Sequence, residues 1–424
     1  MRKKITKRHI FVFAQWHGMT EPILMGMLHA ELLRGKEIFS FGYDEDWLKS
    51  EYAQLLDPDL QLYSGLHYLN NDKKINFGLF LDSSPDRWGR ILMRRREAAM
   101  ARVELRPERL LFETDYLLGV YDQHRMGALR FKEDMKGPFL SGNKEMVTPP
   151  WTSIWELEEV SLRLEDEDMV DDPDYLKWLS MLIAPGSSLG GGRPKASVQD
   201  MDNHLWIAKF PSLNDQVNIG GWEMVAYELA IGADINMAKS QARKFTSRHH
   251  TFLTKRFDRT YKGERVHFAS AMTMLGYIDG QDYEDGASYL ELAAFIIRNG
   301  AQVKDDLEEL WRRIVFSICI SNTDDHLRNH GFILTPNGWV LSPAYDINPV
   351  ETGTGLKLNI SENDNALDIE LAMDVHEQFR MNKIKANEIV KEVKSSVHRW
   401  REIANKYGIP KAEQELKALA FSRA

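Results

Sequence analysis

The chain has 424 residues, 43% hydrophobic and 28% charged, the make-up of a folded protein long enough for two or three domains. Its formal net charge of −9 argues against a chain that grips nucleic acid by itself, and leaves open an acidic surface for a basic protein partner. With Cys319 as its single cysteine it has no disulfide framework and no thiolate zinc site, and no apolar run approaches the roughly 18 residues of a membrane span.

The start, "MRKKITKRHIFVFAQW", is basic but lacks the apolar core and small-residue cleavage site of a signal peptide, so the expected compartment is the cytoplasm. "HIFVFAQW" reads as a strand, "EIFSFGYDEDWL" as a strand running into a helix, and "GALRF" as a closing strand. "KEDMKGPFLSGNKEMVTPPW", Lys132 to Trp151, has Pro, Gly and mixed charge without periodicity and reads as a linker. "IWELEEVSLRLEDEDMVDDPDYLKWLSML" predicts two helices split near "DDPD". A Gly-rich turn, "APGSSLGGGRPKASV", precedes the strand "HLWIAKFPS", a helix from about Trp222 to Ala233 and the strand "TFLTKRFDR". Beyond about Arg259 helices dominate. "SYLELAAFIIRNG" starts at N-cap Ser288 and stops at Gly300, and "DDLEELWRRIVFSICI" lines Leu307, Leu310, Trp311, Ile314, Val315 and Ile318 along one face. The C-terminal "ANEIVKEVKSSVHRWREIANKYG" and "KAEQELKALAF" are helical too. The fold class is α+β: a mixed N-terminal domain over 1–135, a small β-rich lobe over 151–258 and a larger helical lobe over 259–424.

The polar stretch "SNTDDHLRNHGFILTPNGWVLSPAYDINP" (Ser321–Pro349) lies between an apolar helix and an apolar hairpin whose turn is "TPNG". Pairing Leu334 with Trp339 places Asn329 opposite Ala344 and Leu327 opposite Tyr345 or Asp346, which folds Asp346 back toward Asp324 and Asn329. An Asp and an Asn converging there suit a magnesium ion that takes its other ligands from water and phosphate, and a second Asp can orient or deprotonate a hydroxyl. The plainer alternative is a helix-ending turn whose side chains satisfy loop backbone. Upstream, "GSSLGGGRPKA" offers backbone amides at Gly190 and Gly191 as an anion nest, flanked by Arg193 and Lys195, and otherwise reads as a flexible turn. Lys209 sits among Trp206, Ile207, Ala208 and Phe210, where an unpaired ammonium is costly. Glu223 and Glu228 on the following helix are its candidate partners; the alternative is an edge-strand lysine that blocks aggregation. Gly-rich loop, strand Lys, helix Glu, helical lobe, Asp…Asn loop, hairpin and Asp together follow the protein-kinase order of parts.

In "NTDDHLRN", "SPAYDINP", "KRFDR" and the Ser- and Gly-rich loop ending in "RPK", the sequence resembles the HipA-like serine/threonine kinases of bacterial toxin–antitoxin systems. "FSFGYDEDWL", "FGLFLDSSPDRWGRILMRRRE" and "LLGVYDQHRMGALRF" are similar to that family's N-terminal domain, so the likeness covers most of the chain. The resemblance implies an atypical protein-kinase-like bilobal fold and ATP- and Mg2+-dependent phosphorylation of protein Ser or Thr. It implies Asp324 as catalytic base, Asn329 and Asp346 as magnesium ligands, and Lys209 on the nucleotide phosphates. Backbone groups of Lys255 and Phe257 would face the adenine, and Ser188, with Ser187 as alternative, would be the autophosphorylated serine of the inhibitory loop. The implied partner is a small helix-turn-helix antitoxin through which operator DNA is bound, and the implied substrate is a protein, aminoacyl-tRNA synthetases being known targets in the family. Two other classes compete: a catalytically weak kinase-like co-repressor, and a manganese- or zinc-dependent hydrolase built on Asp324, Asp325, His326, His330 and Asp346.

Overall fold

The computed structural model describes residues 7–140, 153–183 and 192–424. The backbone clusters into two compact units: 1–208 with 258–269 and 276–278, and 209–257 with 270–275 and 279–424.

The first unit is built on β1 (Lys7–Ala14), β2 (Ile23–Leu33), β3 (Lys36–Tyr43), β4 (Leu66–Tyr68) and β5 (Leu129–Lys132), an antiparallel sheet in the order β4-β3-β2-β1-β5. Alternation sets its faces: Ile10, Val12 and Ala14 are fully buried, while Lys7 and His9 point to solvent. The 11-residue β2 is not evident in the sequence, because "ILMGMLHAELL" is rich in helix-forming Leu, Met and Ala. Pairing with β1 on one side and β3 on the other overrides that preference. Helices α1 (Glu45–Lys49), α2 (Gly78–Leu81), α3 (Arg87–Val103), α4 (Glu113–Gly119), α5 (Ile154–Glu165) and α6 (Tyr175–Ile183) complete the unit, with the expected break between α5 and α6. Strands β6 (Lys195–Gln199) and β7 (Leu205–Lys209) are neighbours in a second sheet. The Gly-rich turn, with Ser187, Ser188, Gly190 and Gly191, lies outside the described residues, as does most of the expected linker.

The second unit opens with α7 (Ile219–Gly232) and the antiparallel pair β8 (Ser240–Arg243) and β9 (Thr251–Lys255). After β10 (Phe268–Ser270) and α8 (Ala271–Met274) come α9 (Tyr289–Asn299) and α10 (Val303–Cys319). Ser288 caps α9 in a reciprocal capping box with Glu291, and the six apolar positions expected along α10 have no exposed surface. Strands β11 (Gly331–Thr335) and β12 (Gly338–Leu341) form the hairpin, with Leu334 opposite Trp339 as the turn chemistry predicts. The pairing does not run on to place Ala344 against Asn329. Ser342 N–H still donates to Gly331 O at 2.9 Å, but the next ladder position, Ala344, bridges Met237 instead: its N–H donates to Asn236 O at 2.7 Å and its carbonyl accepts from Ala238 N at 3.0 Å. Helices α11 (Ile369–Asp374), α12 (Lys383–Val397), α13 (Trp400–Lys406) and α14 (Lys411–Lys417) finish the unit.

Helix α7 is held at both ends. Its N-cap Asn218 accepts from Gly221 N at 3.1 Å and from His250 N at 2.9 Å through Oδ1, and its Nδ2 lies 2.7 Å from His250 Nδ1. Gly220 is required there, since a Cβ would collide with the His250 carbonyl. Glu413 of α14 accepts from Asn218 N at 2.8 Å and from Trp222 Nε1 at 2.7 Å, and Ser396 of α12 donates to Leu229 O at 2.6 Å near the other end.

For Asn218 to donate to it, His250 Nδ1 must be unprotonated. Burial, aided by Lys244 and His249, pushes this imidazole down to about 4. A group with a depressed folded pKa contributes stability above its unfolded value, near 6.5, that is lost as pH falls toward the folded one. Denaturant unfolding at steps from pH 7 to 4 is expected to show stability falling with decreasing pH. His250→Gln, which keeps an acceptor but cannot titrate, is expected to flatten that part of the profile.

Candidate active site

Lys209, the last residue of β7, is only 9% exposed, and Glu223, one turn into α7, only 4%. The Lys209 ammonium donates to Glu223 Oε1 at 2.5 Å and to Asp346 Oδ1 at 2.6 Å. Burial alone would lower its pKa; Asp346 and then Glu223 outweigh that and hold it raised, so Lys209 is a fixed cation at any working pH. Of the two candidate glutamates, Glu223 is the partner. Glu228 lies a turn and a half further along α7 and is taken by Lys406, 2.6 Å away, and by the Tyr407 hydroxyl.

Asp346 adopts φ 57°, a left-handed conformation that costs a non-glycine residue on the order of 1 kcal/mol or more. Such strain persists only where the surroundings enforce it. Here Tyr345 Oη donates to Arg328 O at 2.7 Å and Asn348 N–H donates to Asn322 Oδ1 at 3.2 Å, pinning the segment on both sides of Asp346 to the Asp324 loop. Within that loop Asn329 Nδ2 donates to Asp324 O at 3.0 Å, which fixes the amide orientation. Asn329 Oδ1 and Asn348 Oδ1 are buried with no hydrogen-bond partner among the described residues. Asp324 itself is exposed, and Lys357, tied to Asp282 at 3.0 Å, lies within its electrostatic reach.

The neighbouring Asp325 turns inward and is 4% exposed. It accepts from Tyr289 Oη at 2.5 Å, and His330 Nε2 lies 2.9 Å from its other oxygen. Burial opposes its charge, yet His330 and Tyr289 hold its carboxyl below the usual range. Two consecutive aspartates thus face opposite ways, one to solvent and one into the packing beneath the loop. Gly353 completes the loop's floor: a Cβ there would strike Thr323.

The other expected residues fall as follows. Lys195 is buried and donates to Asp86 Oδ2 at 2.7 Å, the carboxylate whose Oδ1 also caps α3 by accepting from Gly89 N at 2.8 Å. Lys255 gives its backbone N–H to Lys239 O at 2.7 Å, and the Phe257 ring packs on Tyr345 with centroids 5.5 Å apart. Sequence reasoning missed Asn348 and Lys357. The spacing Asp346-x-Asn348 is the one local signal for the former, whereas Lys357 has none.

The family model of the HipA-like C-terminal domain matches residues 187–400. The class defined by fold and site is therefore a mixed α/β protein of HipA type, and the chain belongs to the HipA-like C-terminal domain family. The HipA toxin of Shewanella oneidensis, solved with HipB and its operator DNA, aligns over 97% of this chain and 96% of its own with a TM-score of 0.64 at 19% identity, a shared fold. A Haemophilus influenzae protein named "Putative kinase" is 27% identical over 183 residues, 38% of this chain and 52% of its own length, so the chain spans about half of that curated relative. Among the described residues no helix is long and apolar enough to cross a membrane.

Asp325→Asn keeps the shape but removes the charge facing His330. A loss of roughly 1–3 kcal/mol is expected at neutral pH. Because the folded carboxyl is depressed, its contribution is present above the ordinary range near 3.9 and disappears as pH falls through the folded value. Denaturant unfolding of both proteins should therefore show curves that separate at pH 7 and draw together below about pH 4.

Proposed function

We propose that the chain is a protein serine/threonine kinase that uses ATP and Mg2+ and acts as the toxin of a toxin–antitoxin pair. The observation that carries this reading is the buried Lys209 held between Glu223 on α7 and Asp346 in its strained turn. A strand lysine oriented by a helix glutamate presents a permanent cation to nucleotide phosphates, and catalysis of phosphoryl transfer is positioning plus charge stabilisation.

The residues present fit a magnesium ion. Asn329 Oδ1 is a buried oxygen without a hydrogen-bond partner among the described residues, Asn348 Oδ1 is another, and Asp346 supplies a carboxylate, all hard oxygen donors of the kind magnesium takes. Asn329 and Asp346 would hold it, and the ion would neutralise charge on the phosphates. Asp324, exposed at the loop's surface, would accept the proton of the substrate Ser or Thr hydroxyl as that oxygen bonds to the γ-phosphorus. The bond from phosphorus to the β–γ bridging oxygen breaks, and ADP leaves. Backbone groups at Lys255 and Phe257 would meet the adenine. Autophosphorylation at Ser188, or Ser187, would regulate the enzyme. Segments 1–135, 151–258 and 259–424 would serve as N-terminal domain, small lobe and large lobe. The fold shared with the Shewanella oneidensis HipA, which was solved with HipB and operator DNA, and the net charge of −9 support a basic helix-turn-helix antitoxin as the partner.

Incubation with γ-labelled ATP and magnesium is expected to label the chain on Ser187 or Ser188. Lys209→Met and Asp324→Gln should each reduce the rate by about 10²-fold or more, with the variants' folding checked by circular dichroism. Undiminished labelling in Asp324→Gln would remove it from the chemistry, and ATP-independent activity would overturn the kinase reading.

A further inference from the structure

The first unit contains a group of buried charges that the kinase reading does not use. Asp122 accepts from Arg130, at 2.6 Å from Nη2 and 3.0 Å from Nε, and Arg265 Nη2 lies 3.2 Å from the same carboxylate oxygen. Arg125 is 1% exposed and gives its Nη atoms to the Ser83 and Val120 carbonyls at 2.7 Å and 3.0 Å. Arg259 pairs with Asp258 at 2.6 Å. Four guanidinium groups therefore face two carboxylates. Burial pushes both Arg125 and Arg265 down to about 10, still protonated at neutral pH. A further acid, Glu264, sits at the half-exposed rim, where it accepts from Thr260 Oγ1 at 3.1 Å and lies 2.9 Å from His17 Nδ1. Burying charge is strongly unfavourable unless it is met by hydrogen bonds or opposite charge.

The same residues border a half-open cavity of about 210 Å³ lined by Gln15, Trp16, Gln123, Arg130, Glu264 and Arg265. Arg265 is 9% exposed, and its Nη1 is buried with no hydrogen-bond partner among the described residues. Gln15 Oε1 accepts from Arg130 Nη1 at 2.8 Å, which orients the amide and leaves its two N–H groups as donors for a ligand. The Arg130 guanidinium is stacked 3.6 Å from the Phe139 ring centre, which holds its fork in place. The cavity is below the roughly 300 Å³ at which pockets for drug-sized molecules begin, which argues for a small ion and against a nucleotide.

We propose that this cavity is a binding site for a small oxyanion of the phosphate class, held by Arg130, Arg265 and the Gln15 amide. The ligand gives the buried Arg265 Nη1 an acceptor, and planar guanidinium forks match its oxygens.

The test uses the full chain, with inorganic phosphate as probe and sodium chloride matched for ionic strength as control. Phosphate at low millimolar concentration is expected to raise the thermal midpoint saturably, while chloride does not. Gln15→Glu places a carboxylate beside Arg130. It should raise the midpoint without added anion and weaken phosphate binding about tenfold or more, as read by calorimetric titration. This variant gains stability if the proposal holds, so misfolding cannot mimic the expected result. Glu264→Gln should tighten phosphate binding several-fold. Lys209→Met, in the proposed nucleotide site, should leave the phosphate response intact. The proposal is overturned if phosphate and chloride act alike, if Gln15→Glu responds to phosphate as the parent does, or if Lys209→Met abolishes the response.

Discussion

The ammonium of Lys209 is the constraint around which the second unit is arranged. Removing a lysine from water costs several kcal/mol, and the cost is offset only where anions meet it at hydrogen-bonding distance. Glu223 and Asp346 do so, and each is positioned by different means. Glu223 rides on a helix whose cap is tied to His250, whose cap and first turn are tied to Glu413 of α14, and whose last turn is tied to Ser396 of α12. Asp346 is presented by a backbone bent into the left-handed region and pinned on both sides to the Asp324 loop. Two carboxylates from distant segments thus meet on one ammonium, and their hydrogen bonds to it join helix and loop.

The first unit buries charge of its own. Asp122 is met by Arg130 and Arg265, and Arg265 Nη1 beside the small cavity has no hydrogen-bond partner among the described residues. Asp325 is a different case. Tyr289 and His330 meet its charge, the group is fully internal, and its role is to brace the loop so that Asp324 faces solvent.

Much of this was legible in the sequence where the signal is local. The Pro-Asn-Gly turn fixed the β11–β12 register, the Ser288 capping box marked the start of α9, and helical spacing identified the buried face of α10. Lys209 was conspicuous because an ammonium in an apolar strand demands a partner. What the sequence could not convey is contact between distant segments. Lys195 looks like part of a phosphate loop, yet its ammonium meets Asp86, 109 residues earlier. The hairpin suggests that Ala344 should face Asn329, but the backbone around Met237 takes both its N–H and its carbonyl. β2 was hidden because its residues favour helix when considered alone, and only the strands on either side make it a strand.

The clamp on α7 has a consequence in time as well as in space. Glu413 reaches back 195 residues to hold the Asn218 cap. At translation rates of about 5–20 residues per second, the helix bearing Glu223 is made roughly 10–40 s before the residue that secures it. Through that interval the helix lacks its Glu413 anchor, and of the cap contacts only those of Asn218 with Gly221 and His250 can form. A chain built this way completes its charged centre late in synthesis, and the order of the sequence acts as a delay on whatever that centre does.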